Sequence, residues 1–285
     1  MTDVAVPAAV PGFVALAVAS VLAGAVNAVA GGGTLLTFPV LAAILPPDPA
    51  RLVIANATST IGLWPASVAA SWAYRSERSG QPPWSFWLLP PSVVGAVAGA
   101  AAVVVCPPAW FSGCVPWLIL TAALVFSLQP AFARLAGAIG PDATEAAARE
   151  PSAVAASGHP GGLRLAAACF LQLLVAVYGG YFGAGIGILM LAVLGLLGLG
   201  DIHRVNAVKN SLAVAINGVA AGLFAIGSAS GLHDVSWLHV GVMTASAVLG
   251  SLAASVVARR LPAPLVRRGV AILGFGLAAY YFWRQ

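Results

Sequence analysis

Two glycine-rich stretches have the composition best suited to holding a small ligand against the backbone. The first runs through Gly31, Gly32, Gly33 and Thr34, between two apolar runs. Adjacent glycines end a helix, and an apolar segment that loses its helix within hydrocarbon leaves peptide N–H and C=O groups that need partners from protein or a polar cavity. The second stretch, residues 183–187, again has glycines and no charge before an apolar run. Close helix packing through small residues would explain one such cluster, and the second copy weakens that explanation.

The helices that would begin after the glycines have N-termini suited to an anion. Each such end, near Thr34 and near Ile188, carries a partial charge of about +0.5. Lys209 adds a cation about one turn inside an otherwise uncharged apolar segment. Every Asp and Glu falls in a loop or tail, which argues against a carboxylate proton relay or a carboxylate sodium site. The pattern predicts a small anionic ligand, and snorkelling to the membrane interface is the alternative explanation for Lys209.

The candidate substrate-binding residues are the glycines, their neighbours and the neutral polar side chains of two equivalent stretches downstream. Broken helices of this kind present backbone to the substrate in secondary transporters. The full set is Asn27, Gly31, Gly32, Gly33, Thr34, Asn56, Thr58, Ser59, Gly183, Gly185, Gly187, Asn206, Lys209, Asn210 and Ser211. Asn217 offers a further neutral hydrogen bond.

No catalytic residue, metal or cofactor is expected. His233, Asp234 and His239 have neither the spacing nor the further ligand of a metal site. The three cysteines sit in apolar contexts without metal-ligand spacing. An intramembrane enzyme would need a nucleophile with a base, or a metal set, within the membrane. No His, Asp or Glu lies deep in an apolar segment, so an enzyme ranks last among the functions considered.

The composition predicts an integral membrane protein. The chain has 285 residues, of which 60% are hydrophobic and 7% charged, and its mean hydropathy is +0.97. No soluble core of this length could bury so much apolar surface. The net charge of +5 indicates topology and contact with anionic lipid, not nucleic acid. The expected partners are a small anion and membrane lipid, and the sequence leaves the oligomeric state open, including a homo-oligomer.

Ten apolar segments divide into two halves with an internal duplication. The glycine clusters and the features after them recur at an offset of about 152 residues. The second and seventh segments, directly after the glycines, are short and predict half-helices, either re-entrant or interrupted. The ten segments are 10–30, 34–45, 52–74, 84–105, 111–133, 163–182, 186–199, 205–226, 236–258 and 265–283.

Loop charges predict opposite orientations for the two halves. Arg75 and Arg78 follow the third segment, whereas the equivalent loop 227–235 has no Lys or Arg. Four arginines crowd residues 259–268, whereas the equivalent loop 106–110 is uncharged. The positive-inside rule then inverts one half relative to the other. Five segments per half, an odd number, require the same inversion.

The predicted fold is therefore an all-α polytopic membrane protein of two inverted-topology repeats. Residues 1–135 form the first repeat, 136–162 a cytoplasmic linker, and 163–285 the second repeat. The glycine-broken or re-entrant half-helices are expected to meet near the membrane midplane. The protein would lie in the cell membrane as a multi-pass protein with both termini outside.

At these residues the chain resembles the TauE/SafE family, the sulfite exporter family. Glycine-rich stretches like residues 31–39 and 183–187 open the two halves in that family, and an Asn-Ala-x-Lys-Asn stretch like 206–210 follows the second. The resemblance covers residues from about 13 to 281, although the second half has no proline equivalent to Pro39. It implies export, or sometimes uptake, of sulfite, organosulfonates or related sulfur oxyanions.

The sequence favours a secondary transporter that exports a small sulfur-containing anion by alternating access. An anion channel with the same glycine-lined constriction is the alternative from another functional class. The particular anion, the direction of transport and the coupling ion are not determined by the residues alone.

Overall fold

The structure, a computed structural model, describes residues 6–29, 31–73, 83–138, 162–196, 202–257 and 263–283. Within these residues it contains ten α-helices and no β-strand, which confirms the predicted all-α class. Each predicted apolar segment corresponds to one helix. The helices are α1 Val6–Val29, α2 Thr34–Ile44, α3 Arg51–Ala73, α4 Leu89–Val105, α5 Pro108–Ala138, α6 Gly162–Tyr181, α7 Ile186–Leu196, α8 Ile202–Ala229, α9 Trp237–Val257 and α10 Ala263–Trp283, and a 3₁₀ helix, Pro83–Leu88, precedes α4.

The helix lengths agree with a multi-pass membrane protein. In the described part of the chain, seven helices are long and apolar enough to cross a bilayer. The helices α2 and α7 have 11 residues each. At 1.5 Å per residue such a helix is about 16 Å long, roughly half the thickness of the hydrocarbon core. The prediction of short helices directly after the glycines is confirmed.

The helices of the two halves pack between one another. The helix α1 packs along α9, and α6, its counterpart in the second half, packs along α4. The helix α3 contacts α9 and α8 contacts α4. The pairs α3–α8 and α5–α10 each join equivalent helices of the two halves. The packing pattern is therefore preserved when the halves are exchanged, and their inverted orientation remains a prediction.

Small residues allow the two most extensive of these helix pairs to approach closely. A side chain on Gly24 of α1 would strike the backbone of Ala247, and one on Gly250 of α9 would strike the backbone of Val21. In the other pair, a side chain on Gly99 of α4 would strike the backbone of α6. Without a hydrophobic driving force between helices in lipid, such backbone approach is a main source of attraction.

Some sequence predictions concern residues that the structure does not describe. Arg75, Arg78, Arg259 and Arg260 lie outside the described residues, as do residues 139–161 of the predicted linker. The helix α5 continues to Ala138 and α6 begins at Gly162, so both reach slightly into the predicted linker. The domain boundaries stay a prediction.

Three loops lie together at one end of the structure, and two of them are the uncharged loops 106–110 and 227–235. They line a cavity of about 270 Å³ whose walls include Asp48 before α3, Cys106 after α4, and His233 and Asp234 before α9. The shared position of the uncharged loops 106–110 and 227–235 agrees with the prediction that both lie on one face of the membrane. Which face of the membrane this end occupies remains a prediction.

Cysteine labelling tests the orientation. In a variant that retains only Cys106, an impermeant maleimide should react in intact cells, because Cys106 lines the cavity at the predicted external end. A single cysteine introduced by Leu232→Cys, at an exposed position of the same cavity, should behave alike. A single cysteine from Ser79→Cys should react only after permeabilisation. The reverse pattern would overturn the predicted topology.

Candidate substrate site

Both helix breaks depend on glycine backbone geometry. Between α1 and α2 the chain turns at Gly31, whose φ is +69°, and between α6 and α7 it turns at Gly185, whose φ is +79°. Both values lie in the left-handed region, which glycine adopts at no steric cost. The glycines therefore end α1 and α6 and let the short helices α2 and α7 leave in new directions.

The two breaks lie directly against each other, as the sequence predicted. A Cβ built on Gly31 would be 2.8 Å from Gly187 Cα. A Cβ built on Gly32 would be 2.9 Å from Gly185 N and 2.6 Å from the ring of Phe126. Backbone therefore contacts backbone across the two halves of the chain. We call this contact between residues 31–33 and 183–187 the glycine junction.

Side chains from four helices border the glycine junction. Asn27 Oδ1 accepts a hydrogen bond of 3.3 Å from Gly32 N. Asn27 Nδ2 donates to Ser67 Oγ at 2.8 Å, and Asn217 Nδ2 donates to the same oxygen at 3.4 Å. On the other side, Thr34 Oγ1 lies 3.8 Å from the position of a Cβ on Gly183. Polar groups of both halves thus surround the break in α6 and α7.

The N-terminal ends of the short helices have backbone donors to offer. Within the described residues, Gly185 N and Gly187 N have no hydrogen-bond acceptor. Gly33 caps α2 without a side-chain hydrogen bond. N–H groups at the start of a helix are oriented toward the ligand position and attract negative charge. The glycine junction therefore has the kind of backbone donor that helix N-termini offer to anions.

The polar residues predicted in the first half are buried and make interhelical contacts. Asn56, Thr58 and Ser59 are each 0% exposed. Asn56 Nδ2 donates to Tyr181 O at 3.0 Å, at the end of α6. Thr58 Oγ1 accepts from Ser236 N, and Ser59 Oγ bonds to the hydroxyl of a threonine of α2. These bonds join helices, so part of the predicted set holds the site together.

The polar residues predicted in the second half lie near the start of α8, before Asn217. Lys209 is 1% and Asn210 4% exposed, so protein covers both side chains. Ser211 Oγ donates within its own helix to Ala207 O. The side chain of Asn206 lies outside the described residues. Lys209 precedes Asn217 by eight residues, so its Cα lies about 12 Å along α8 from that of Asn217.

Three residues of the site were not predicted. Ser67 accepts from two asparagines, Phe126 packs against Gly32, and the Tyr178 hydroxyl donates to Ala184 O at 2.7 Å. Ser67 had one signal, its helical spacing from the buried polar face that includes Asn56 and Ser59. Phe126 is one of many apolar residues in its segment and had none.

The described residues contain no cluster of three or more His, Cys, Asp or Glu that could hold a metal ion. The groups gathered at the junction are instead amides, hydroxyls and backbone N–H groups, which donate hydrogen bonds without a formal charge. Such donors suit the oxygens of a small oxyanion.

Together, these features define a multi-pass membrane protein with paired broken helices, the arrangement by which secondary transporters present backbone to a substrate. Residues 16–281 match the family model described as Sulfite exporter TauE/SafE, and the chain belongs to this family. Membership implies a membrane transporter of sulfite or related anions, and the family consists of transporters, not enzymes. Comparison with curated proteins and with solved structures gave no match.

Substitution of the junction glycines should follow the contacts around them. Phe126 and Gly185 occupy the neighbourhood of a Cβ on Gly32. We expect Gly32→Ala to destabilise by about 1–3 kcal/mol through overpacking. Gly185→Ala has room, with its nearest neighbour at 3.6 Å, and should cost about 1–2 kcal/mol through its positive φ alone.

Gly222→Ala is the matched control, because nothing lies within 4 Å of its Cβ position in α8. Its melting temperature in detergent should equal or exceed that of the parent, since alanine favours helix over glycine. A Gly32→Ala protein that melts with the parent would show that the junction tolerates a side chain.

Proposed function

We propose that this protein is a secondary transporter that exports a small sulfur-containing anion, such as sulfite or an organosulfonate, by alternating access. In this proposal the anion passes between the glycine junction and the buried pair of Lys209 and Asn210. The predicted substrate-binding residues divide between these two levels. The anion would leave through the cavity lined by Asp48, Cys106 and His233.

The main support for an anionic substrate is the buried polar end of α8. Asn210 is 4% exposed, and in the described part of the chain its Nδ2 group is buried without a hydrogen-bond acceptor. A buried donor without an acceptor costs free energy and calls for an explanation. The adjacent Lys209 brings a covered cation, and a lysine that snorkelled to lipid would instead expose its end. An anion at this level would accept from both.

The arrangement of the helices supports alternating access. The α3–α8 and α5–α10 contacts each join equivalent helices of the two halves. In inverted-repeat transporters, one repeat rocks against the other around a fixed site at their interface. The close contact of Gly31 with Gly187 supports a transporter over the open pore of a channel, because it leaves no gap at that point.

A flux assay in liposomes tests the proposal with sulfite, sulfate, thiosulfate, sulfoacetate and taurine. We expect saturable flux of at least one sulfur anion, and acceleration by the same anion on the opposite side. A flux that stays linear with concentration and shows no counter-transport would identify a channel. No flux of any member of the panel would contradict the proposed substrate class.

Lys209→Gln should raise the apparent KM for sulfite about tenfold or more, equivalent to about 1.4 kcal/mol. An ammonium in a partly desolvated site attracts an anion by an amount on the order of a few kcal/mol. Lys209→Arg should retain part of the affinity. Arg268→Gln, at an exposed position of α10, is the matched control and should leave the KM unchanged.

A Lys209→Gln protein with the parental KM would assign the lysine to a structural role and leave anion binding to neutral donors. Melting temperatures of the purified variants separate a binding defect from a folding defect.

A further inference from the structure

Ser67 is the centre of a polar cluster that joins α1, α3 and α8. Its Oγ accepts from Asn27 Nδ2 at 2.8 Å and from Asn217 Nδ2 at 3.4 Å. The same hydroxyl donates to Leu63 O, one turn back in α3, at 3.4 Å. The three bonds differ in strength, because a distance near 3.4 Å is at the long end for a hydrogen bond. Asn27 therefore fixes the position of Ser67, and the other two bonds are weak.

The cluster lies at the second glycine turn. A Cβ on Gly183 would be 3.9 Å from Asn217 Oδ1 and 3.8 Å from Thr34 Oγ1. Gly183 has a φ of +80° and precedes the N–H groups of Gly185 and Gly187 at the start of α7. The cluster therefore borders the glycine junction through Asn217, beside Gly183, and through Asn27, which accepts from Gly32 N.

The exposure of these side chains indicates a polar space beside them. Ser67 is 3% exposed, whereas Asn217 is only half-buried although it lies midway along the span Ala207–Ala229. A carboxamide facing hydrocarbon would cost several kcal/mol. Partly uncovered polar groups at this depth are tolerated where they line a water-filled cavity. The open side of Asn217 therefore faces a space that water or a polar ligand can fill.

Resting on the transport function proposed above, we propose that Ser67 and Asn217 determine substrate specificity by donating to the oxygens of the transported anion. Asn217 has two N–H bonds on Nδ2, and the contact with Ser67 uses one of them. The Ser67 hydroxyl can turn from Leu63 O to the anion, because that carbonyl also serves the helix ladder of α3. The two donors come from different halves of the chain, so the anion would contact both.

Trp64 limits the size of that anion. Its indole Nε1 donates to Val214 O at 3.2 Å, and a Cβ on Gly218 would be 2.8 Å from the same nitrogen. Trp64 lies one turn before Ser67 on α3, and Val214 lies one turn before Asn217 on α8. A rigid ring held between the two helices borders the Ser67–Asn217 pair on one side. The site accordingly favours an oxyanion with a small substituent over an aromatic sulfonate.

The test compares apparent KM values for sulfite in liposomes. Asn217→Ala and Ser67→Ala should each raise the KM about tenfold, since a hydrogen bond to a charged group is worth at least that factor. Ser251→Ala is the matched control, because Ser251 is also buried and donates to a backbone carbonyl of α3, Ala66 O, at 3.0 Å without bonding to a side chain of the cluster. Its KM should stay within about twofold of the parent.

Asn217→Asp decides the matter if the alanine variant does not fold. Its carboxylate can accept from the Ser67 hydroxyl and keeps the shape of the side chain, but it repels an anion. Sulfite should therefore no longer raise the melting temperature of the purified protein.

Benzenesulfonate should compete poorly with sulfite in the parent and better in Trp64→Ala. A parent that carries no sulfur anion would contradict the proposed function itself. An active parent with parental KM values in Asn217→Ala and Ser67→Ala, or with sulfite binding retained in Asn217→Asp, would overturn the inference.

Discussion

The structure depends on the requirement that every peptide group at membrane depth finds a partner. A continuous helix meets this requirement within itself, and a broken helix does not. Here two helices break, and each break contacts the other: Gly31 lies against Gly187 and Gly32 against Gly185. Because the contact is between backbones, a side chain on Gly31 or Gly32 would strike the opposite break. Neither break would be covered in the same way without its counterpart.

Side chains supply hydrogen-bond partners to the backbone at these breaks, as water does in a soluble protein. Asn27 accepts from Gly32 N, and the hydroxyl of Tyr178 donates to Ala184 O. The nitrogens of Gly185 and Gly187 at the start of α7 lie beside Gly32 and Gly31. In the proposed function, the bonded groups stabilise the breaks and the unpaired backbone donors bind the anion.

Much of the fold could be predicted because hydropathy locates the membrane segments and glycine locates the breaks between them. The ten segments, the shortness of α2 and α7 and the meeting of the two glycine clusters all depend on local patterns. The position of Lys209 relative to the junction was not predictable, because the sequence gives no relative height for helices that tilt and cross. Ser67 was not predicted because serine is common in apolar helices. Its role depends on hydrogen bonds from Asn27 and Asn217, which are distant in the chain.

The close crossings of α1 with α9 and of α4 with α6 have a consequence for biosynthesis. Gly24 of α1 packs against the backbone of Ala247, which follows it in the chain by more than two hundred residues. The ribosome therefore delivers α1 to the membrane long before the surface that covers it exists. During that interval its small-residue face is in contact with lipid or with the insertion machinery. Assembly of the first half must wait for the second, so a truncated product ending before α9 would be a substrate for membrane quality control.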